Sequence, residues 1–141
     1  MKNCDGCTEC CYSLPINESE FVKQEGVMCT HCDKGCTIYD TRPESCKEFN
    51  CVYLITNTDE SLRPDKTNVI FEMIYTKIYL ALVRKEFLDS WRTKLITDYI
   101  NKLNEEGISV VVSSFENGLI EVFTAHNHNE EKVLEMIKKV I

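Results

Sequence analysis

Nine cysteines lie within the first 51 residues of this 141-residue chain, and the rest of the chain has none. Thiolates are soft ligands that select zinc, copper(I) and iron–sulfur clusters. The same segment is rich in Asp, Glu and Thr and too short to build a sufficient hydrophobic core, so we expect metal to stabilise it. The cysteines are Cys4, Cys7, Cys10, Cys11, Cys29, Cys32, Cys36, Cys46 and Cys51.

The first three cysteines follow the spacing Cys4-x-x-Cys7-x-x-Cys10. Such a run wraps one backbone turn around a centre, and it is the spacing that supplies three corners of a [4Fe–4S] cluster in bacterial ferredoxins. A remote cysteine completes a cluster of this kind. The candidates for that fourth ligand are Cys29, Cys36, Cys46 and Cys51.

Zinc is the alternative metal, because structural zinc is bound by four thiolates or imidazoles in a closed tetrahedron, often from paired Cys-x-x-Cys units. Cys4-x-x-Cys7 and Cys29-x-x-Cys32 satisfy that pattern. The adjacent pair Cys10-Cys11 does not easily bind one zinc ion, because the side chains of neighbouring residues diverge. The pair is better suited to two neighbouring centres or a shared cluster. We expect a [4Fe–4S] cluster slightly ahead of Zn²⁺, with enough ligands for two centres.

The charge of the chain disfavours a nucleic-acid partner. Its formal net charge is −7, and the first 51 residues contain five Lys or Arg against nine Asp or Glu. Proteins that bind nucleic acids need a basic surface that displaces counterions from phosphates. No nucleic-acid partner is therefore expected, whereas a protein partner is compatible with this composition.

The location expected from the sequence is the cytoplasm. No apolar segment resembling a signal peptide follows Met1, and the most apolar stretch, 69–83, is interrupted by Glu72, Thr76 and Lys77. We expect no membrane association. In the cytosol thiols stay reduced, which favours metal ligation over disulfides. A secreted disulfide-bonded domain is the alternative, and the odd number of cysteines argues against it.

Local patterns predict the secondary structure. Asn17-Glu18-Ser19-Glu20 resembles a capping box, which predicts a short helix ending near Gly26. Residues 29–51 are predicted to form turns, and residues 56–67 a loop. Dense apolar segments predict antiparallel strands over 68–75 and 77–84. A helical pattern runs from Leu88 to Leu103, with a cap near Asp89-Ser90 and an end at Gly107. Asn117-Gly118 predicts a hairpin between 108–115 and 119–124, and a last helix follows.

The predicted fold class is therefore α+β. An irregular, metal-stabilised, cysteine-rich module over residues 1–55 precedes an α+β half over residues 56–141. The second half has the order ββαββα, which predicts an antiparallel sheet with helices on one face. We expect the two parts to pack as one compact unit.

The cysteine pattern resembles the YkgJ-type cysteine-cluster family, also described as a putative zinc- or iron-chelating CxxCxxCC domain of bacterial and phage proteins. The resemblance covers residues 4 to about 70 and extends into Leu62-Arg63-Pro64-Asp65-Lys66. Its motif here is Cys4-x2-Cys7-x2-Cys10-Cys11, Cys29-x-His31 and Gly35-Cys36-x-Ile38-Tyr39-x2-Arg42-Pro43-x2-Cys46-x2-Phe49-x-Cys51. It implies metal chelation by Cys4, Cys7, Cys10, Cys11, Cys29, Cys36, Cys46 and Cys51. Cys32 departs from the pattern, and we expect an ordinary thiol there rather than a spare ligand.

Side chains between the cysteines have predicted supporting roles. His31 is a less certain ligand, and a hydrogen bond from its ring to a thiolate or carbonyl is the favoured interpretation. Arg42 is expected to balance thiolate charge or to pair with an acid. Tyr39 and Phe49 are expected to cover the metal.

The expected function is that of a metal-binding protein, a non-catalytic binding or electron-transfer module. The sequence shows no nucleophile–base constellation and no phosphate-binding loop, so no catalytic residue is predicted. Whether the protein is an enzyme stays open. The alternatives are an iron–sulfur oxidoreductase or cluster-assisted transferase, like the flagellin lysine methylases that carry a related cluster, and a structural zinc protein.

Overall fold

The computed structural model describes residues 6–140. The elements of the first half are all short. They are α1 (Glu9–Ser13), β1 (Ile16–Glu18), β2 (Phe21–Lys23), α2 (Glu44–Glu48), α3 (Val52–Ile55) and α4 (Pro64–Thr67). Single 3₁₀ turns lie at Tyr39–Thr41 and Glu60–Leu62. Residues 29–51 are mostly turns, as predicted, while the predicted loop over 56–67 contains two helical turns.

The second half has longer elements in the predicted order. They are β3 (Val69–Tyr75), β4 (Ile78–Val83), α5 (Lys94–Glu105), β5 (Ser109–Ser114), β6 (Gly118–Phe123) and α6 (Glu130–Lys138). The order ββαββα and the α+β class are therefore confirmed. At the predicted hairpin, Gly118 has a φ of +69°, a left-handed conformation that glycine adopts without a steric penalty.

The four long strands form one sheet in the order β3-β4-β5-β6. The outer pairs are antiparallel, but β4 and β5 are parallel, from Ile78 opposite Ser109 to Leu82 opposite Ser113. The prediction of an antiparallel sheet was therefore wrong at this junction. The reason is that α5 connects the end of β4 to the start of β5, and a helical crossover of this kind returns the chain in the same direction.

The prediction that the helices cover one face of the sheet was also wrong. All six residues of β4 are buried, and they alternate between two hydrophobic cores. On one face α5 packs with Ile96, Ile100 and Leu103, and on the other α6 packs with Val133 and Ile137. Strands that are apolar on both faces need cover on both, so the two helices lie on opposite sides.

The region of the predicted capping box is a β-hairpin instead of a helix. Ile16 pairs with Lys23 and Glu18 pairs with Phe21, and Gly26 lies in the turn that follows β2. The Glu18 carboxylate accepts hydrogen bonds from the backbone N–H of Ser45, at 3.0 Å, and from its hydroxyl. A tertiary partner on α2 thus replaces the local N-cap that the sequence pattern indicated.

The start of α5 also differs from the prediction. A 3₁₀ turn occupies Ser90–Arg92, and the helix itself begins at Lys94 with Thr93 as its N-cap. The Thr93 hydroxyl accepts the Ile96 N–H at 3.4 Å, which is the bond of an N-cap side chain. Asp89, at the predicted cap, instead pairs with Arg92.

The cysteine-rich segment is attached to the sheet at two places. The Met73 N–H of the edge strand β3 donates to the Asn50 carbonyl at 2.9 Å, next to a bridge between Cys51 and Glu72. After β4, the Arg84 guanidinium lies 3.8 Å from the centre of the Tyr12 ring and 3.6 Å from the buried Glu9 carboxylate. These contacts position the cysteines over the face of the sheet that α6 also covers. Within residues 6–140, no helix combines the length and the apolar character needed to cross a membrane.

Candidate metal centre

A cavity of about 300 Å³ lies between the cysteine-rich segment and strand β3. Its wall contains seven cysteines, and all seven belong to the predicted ligand set. They are Cys7, Cys10, Cys11, Cys29, Cys36, Cys46 and Cys51. The eighth predicted ligand, Cys4, lies outside the described residues. No disulfide joins two of the cysteines that the structure describes.

Cys32 and His31 do not line this cavity. Cys32 forms a backbone bridge with Cys36. Its thiol contacts the Cys11 thiol, but Cys32 is not one of the residues that line the cavity. The His31 ring packs against Phe21, with 5.4 Å between the ring centres. The structure therefore separates the two less certain ligands from the other seven.

Local backbone geometry brings the distal cysteines to the cavity. The Cys29 N–H donates to the Cys11 carbonyl at 2.9 Å, which joins the two parts of the segment. The His31 N–H points to the Cys29 sulfur at 3.4 Å. Lys34 and Gly35 both have positive φ, of 59° and 139°, and they reverse the chain between Cys32 and Cys36.

The segment Leu62–Lys66 packs against Cys7. The buried Cys7 sulfur accepts hydrogen bonds from the backbone N–H groups of Glu9 and Asp65. Arg63 forms a two-bond pair with the Asp65 carboxylate, at 2.6 and 2.8 Å. Gly6 adjoins the Arg63 guanidinium and has a φ of +79°, a conformation that glycine adopts without a steric penalty. A segment that contains no cysteine thus supports one of the candidate ligands.

The thiols differ in their proton affinity. Burial raises the pKa of Cys7 to about 12. Burial, and then the negative charges of neighbouring cysteines, raise the pKa of Cys46 to about 11. The pKa of Cys11 is lowered to about 6, chiefly by a hydrogen bond from Cys10. Burial opposes this shift, whereas a hydrogen bond with Cys32 and the charge of Lys23 add to it. Of these three thiols, Cys7 and Cys46 therefore hold their protons at neutral pH, whereas Cys11 loses its proton most readily.

Lys23 is a buried cation near the cysteines that sequence analysis missed. It is 6% exposed, and its ammonium donates to three backbone carbonyls, those of Tyr12, Gln24 and Val27, at 3.1, 3.0 and 2.7 Å. Burial lowers the pKa of Lys23, while the charges of Cys29 and Cys11 oppose that shift. An ammonium has three donors, so this residue gives the cavity positive charge but no hydrogen bond.

Arg42, Tyr39 and Phe49 also line the cavity. The Arg42 guanidinium lies 4.0 Å from the centre of the Tyr39 ring, a cation–π contact. Its Nε atom is buried and has no hydrogen-bond partner within the described part of the chain. A buried donor without a partner is rare, and an anionic occupant of the cavity would satisfy it.

Glu72 is the one carboxylate among the described residues that line the cavity. It stands on β3 opposite Cys51, and burial alone raises its pKa. In the sequence it appeared only as an interruption of an apolar strand. No sequence pattern linked it to the cysteines, because their contact depends on how residues 50–51 meet the edge of the sheet.

The donor set fits a thiophilic metal centre and not a hard cation. Within residues 6–140, no three Cys, His, Asp or Glu side chains converge on a single point. The thiols instead surround a space that is larger than a tetrahedral zinc site, whose ligands close around the ion at about 2.3 Å. Ca²⁺ and Mg²⁺ prefer oxygen ligands, which this cavity does not supply in number. The positive charges of Lys23 and Arg42 lie near these thiols.

Comparison of the chain with models of protein families, with curated proteins and with solved structures finds no match in any of the three.

Proposed function

We propose that this protein binds a thiolate-coordinated metal centre, an iron–sulfur cluster in preference to zinc, as a non-catalytic binding or electron-transfer module. The observation that carries the proposal is the convergence of seven cysteines on one cavity, although they are spread over residues 7–51. A chain that used its cysteines only as small apolar residues would have no reason to collect them around open space.

Three further features support the proposal. The space exceeds what one zinc ion fills, and it is lined by aromatic and aliphatic side chains that restrict water. Lys23 and Arg42 offset the charge of a strongly anionic centre. The spacing of Cys4, Cys7 and Cys10 is that of three [4Fe–4S] ligands, and it is part of the motif that resembles the YkgJ-type family. When bound, a cluster would supply one-electron chemistry, and zinc would supply structural stability alone.

The proposal includes a protein partner as the source or recipient of electrons, and the cytoplasm as the compartment. Thiols stay reduced there, so the ligands would be available to metal.

An iron–sulfur oxidoreductase or a cluster-assisted transferase is the second candidate, and one observation favours it. Arg42 and Glu72 place a guanidinium and a carboxyl group on the wall of the same cavity. Such groups are suited to hold a small polar substrate beside a metal centre. A structural zinc protein would need neither of them.

The test is the metal content of the full chain after anaerobic purification, together with the acid-labile sulfide and the visible absorption. We expect iron and sulfide in equal amounts and a brown protein. Colourless protein with stoichiometric zinc would leave only the structural zinc role, and protein that binds neither metal would refute the proposal.

A matched pair of variants tests the ligand role. Cys29 and Cys32 stand three residues apart in one turn, but only Cys29 lines the cavity. We expect Cys29→Ser to lose metal and Cys32→Ser to keep the wild-type amount. Equal retention by both variants would contradict the assignment of the cavity as the metal site.

A further inference from the structure

Cys32 and Cys36 stand directly opposite each other across a tight reversal of the chain. They form an isolated antiparallel β-bridge, which two backbone hydrogen bonds frame. The Thr37 N–H donates to the His31 carbonyl at 2.8 Å, and the residue after Cys32 donates to the carbonyl of the residue before Cys36 at 2.9 Å. Because both bonds join the residues that flank the cysteines, the cysteines themselves are a non-hydrogen-bonded pair.

The geometry of such a pair suits a disulfide bond. Residues opposite each other at a non-hydrogen-bonded position have Cα atoms about 4.5 Å apart, and their side chains stand on the same face. A disulfide needs Cα atoms roughly 4.4–6.8 Å apart and Cβ atoms that face each other. The backbone therefore already holds Cys32 and Cys36 within the range of a disulfide, although both residues are thiols in the structure.

The local chain, and not a distant contact, places these two cysteines opposite each other. Lys34 and Gly35 both have positive φ, of 59° and 139°, and make the reversal. The Thr37 hydroxyl donates to the His31 carbonyl at 2.7 Å, which adds a second bond between the same two residues. The paired arrangement is thus a property of the segment 31–37 itself.

The two cysteines differ in their relation to the cavity. Cys36 is one of the residues that line it, and Cys32 is not. Both are partly exposed, and Asp33 and Lys34 at the tip of the reversal are exposed, so a small molecule in solution can reach the pair. Under the proposed function Cys36 is a metal ligand, whereas Cys32 keeps its thiol while metal is bound.

We propose that Cys32 and Cys36 are a redox-sensitive pair, whose reversible disulfide withdraws Cys36 from the metal centre. The competition with metal rests on the proposed function, whereas the formation of the disulfide does not. The oxidant is a low-molecular-weight disulfide of the glutathione type. The bond closes a very short loop, so it restricts the unfolded chain little, and an excess of small thiol is expected to reduce it.

The reaction is thiol–disulfide exchange in two displacements. The Cys32 sulfur attacks one sulfur of the small disulfide, whose S–S bond breaks, and the proton of Cys32 passes to the thiolate that leaves. The Cys36 thiolate then leaves the metal and attacks the Cys32 sulfur, and the second small thiolate departs. The two cysteines lose two electrons in all, and the small disulfide gains them as it becomes two thiols.

The test uses the full chain as purified under anaerobic conditions, titrated with mixtures of reduced and oxidised glutathione. Alkylation stops the exchange, and peptide mapping by mass spectrometry locates the disulfide. Trypsin cuts after Lys34, so Cys32 and Cys36 fall on separate peptides that only a disulfide keeps together. Fragmentation of the linked peptides identifies the two sulfurs. We expect Cys32–Cys36 to be the first disulfide formed, with metal released in step and regained on reduction.

Two variants separate this role from a merely structural one. Cys32→Ser keeps the predicted ligands but cannot form the bond, so it should retain its metal at the glutathione ratio at which the wild type has lost half. Cys36→Ser should stop at the mixed disulfide between Cys32 and glutathione, because the second displacement lacks its thiolate.

The contrary outcomes are distinct from those of the proposed function. A first disulfide between Cys32 and Cys11, whose thiols are also in contact, would overturn the inference. Equal metal loss from the wild type and Cys32→Ser would overturn it as well. Wild-type protein purified without metal would refute the proposed function, and the peptide map of that protein would still decide whether the two cysteines pair. The map needs no variant, so it holds even if a substitution prevents folding.

Discussion

Lys23 places a buried positive charge near the cysteines, while all of its hydrogen bonds are made elsewhere. Its three donors are all used on backbone carbonyls, which locks the β1–β2 hairpin to Tyr12 and Val27. Its charge remains available to the cysteines beside it. In the sequence this residue is one lysine between Val22 and Gln24, and nothing marks it as buried.

Replacing Lys23 by Met tests this structural role. The variant leaves the carbonyls of Tyr12, Gln24 and Val27 without their donor, and the loss of charge-assisted hydrogen bonds costs about 2–3 kcal/mol. We expect the free energy of unfolding in urea to fall by about that amount. Lys132→Met is the control, since Lys132 is exposed on α6, and a change within about 0.5 kcal/mol is expected there. An equal effect of both substitutions would contradict the burial of Lys23.

At the scale of the element, α5 decides the topology of the sheet. It carries the chain from β4 to β5, and its face of Ile96, Ile100 and Leu103 packs on the sheet opposite to α6. The helical period of these residues was visible in the sequence. The side of the sheet on which they pack was not, because an amphipathic pattern shows that a face is buried without showing against which surface.

The N-cap of α5 offers a test at this scale. Thr93→Ala removes the side chain that accepts the Ile96 N–H, and the loss of such a cap lowers stability by about 1 kcal/mol. Thr97→Ala is the matched control, since the Thr97 hydroxyl bonds only to helix carbonyls and alanine is a better helix former. Urea unfolding followed by circular dichroism should show a lower midpoint for the first variant and little change for the second. A loss of stability only in Thr97→Ala would place the start of the helix elsewhere.

At the scale of the whole molecule, the two halves are stabilised differently. The sheet has a hydrophobic core on each face, built from strands such as β4 in which every residue is buried. The cysteine-rich segment has only short elements, of three to five residues, and its cysteines surround a cavity. Under the proposed function, metal provides the order that a core provides in the other half.

We expect metal removal to change the hydrogen-exchange protection of the two halves differently. Chelation under reducing conditions should strip protection from the amides of residues 9–51, because their hydrogen bonds lie in short turns and helices. The amides of β4 and β5 should stay protected, because each of these strands is paired on both sides within the sheet and covered by α5 and α6. Loss of protection in both regions together would show that the molecule unfolds as one cooperative unit, and unchanged protection everywhere would argue against a structural role for metal.

The sequence alone determined the α+β class, the order of the long elements and the identity of the candidate ligands. Local patterns carry these features: the dense apolar runs of β3 and β4, the Asn117-Gly118 turn, and the spacing of the cysteines. Only the tertiary structure decided that β4 and β5 are parallel, that Glu18 belongs to a hairpin, and that Lys23 and Glu72 stand beside the thiols. Each of these depends on contacts between residues far apart in the chain, such as that of Glu18 with Ser45, and no local pattern encodes which distant partner a side chain will meet.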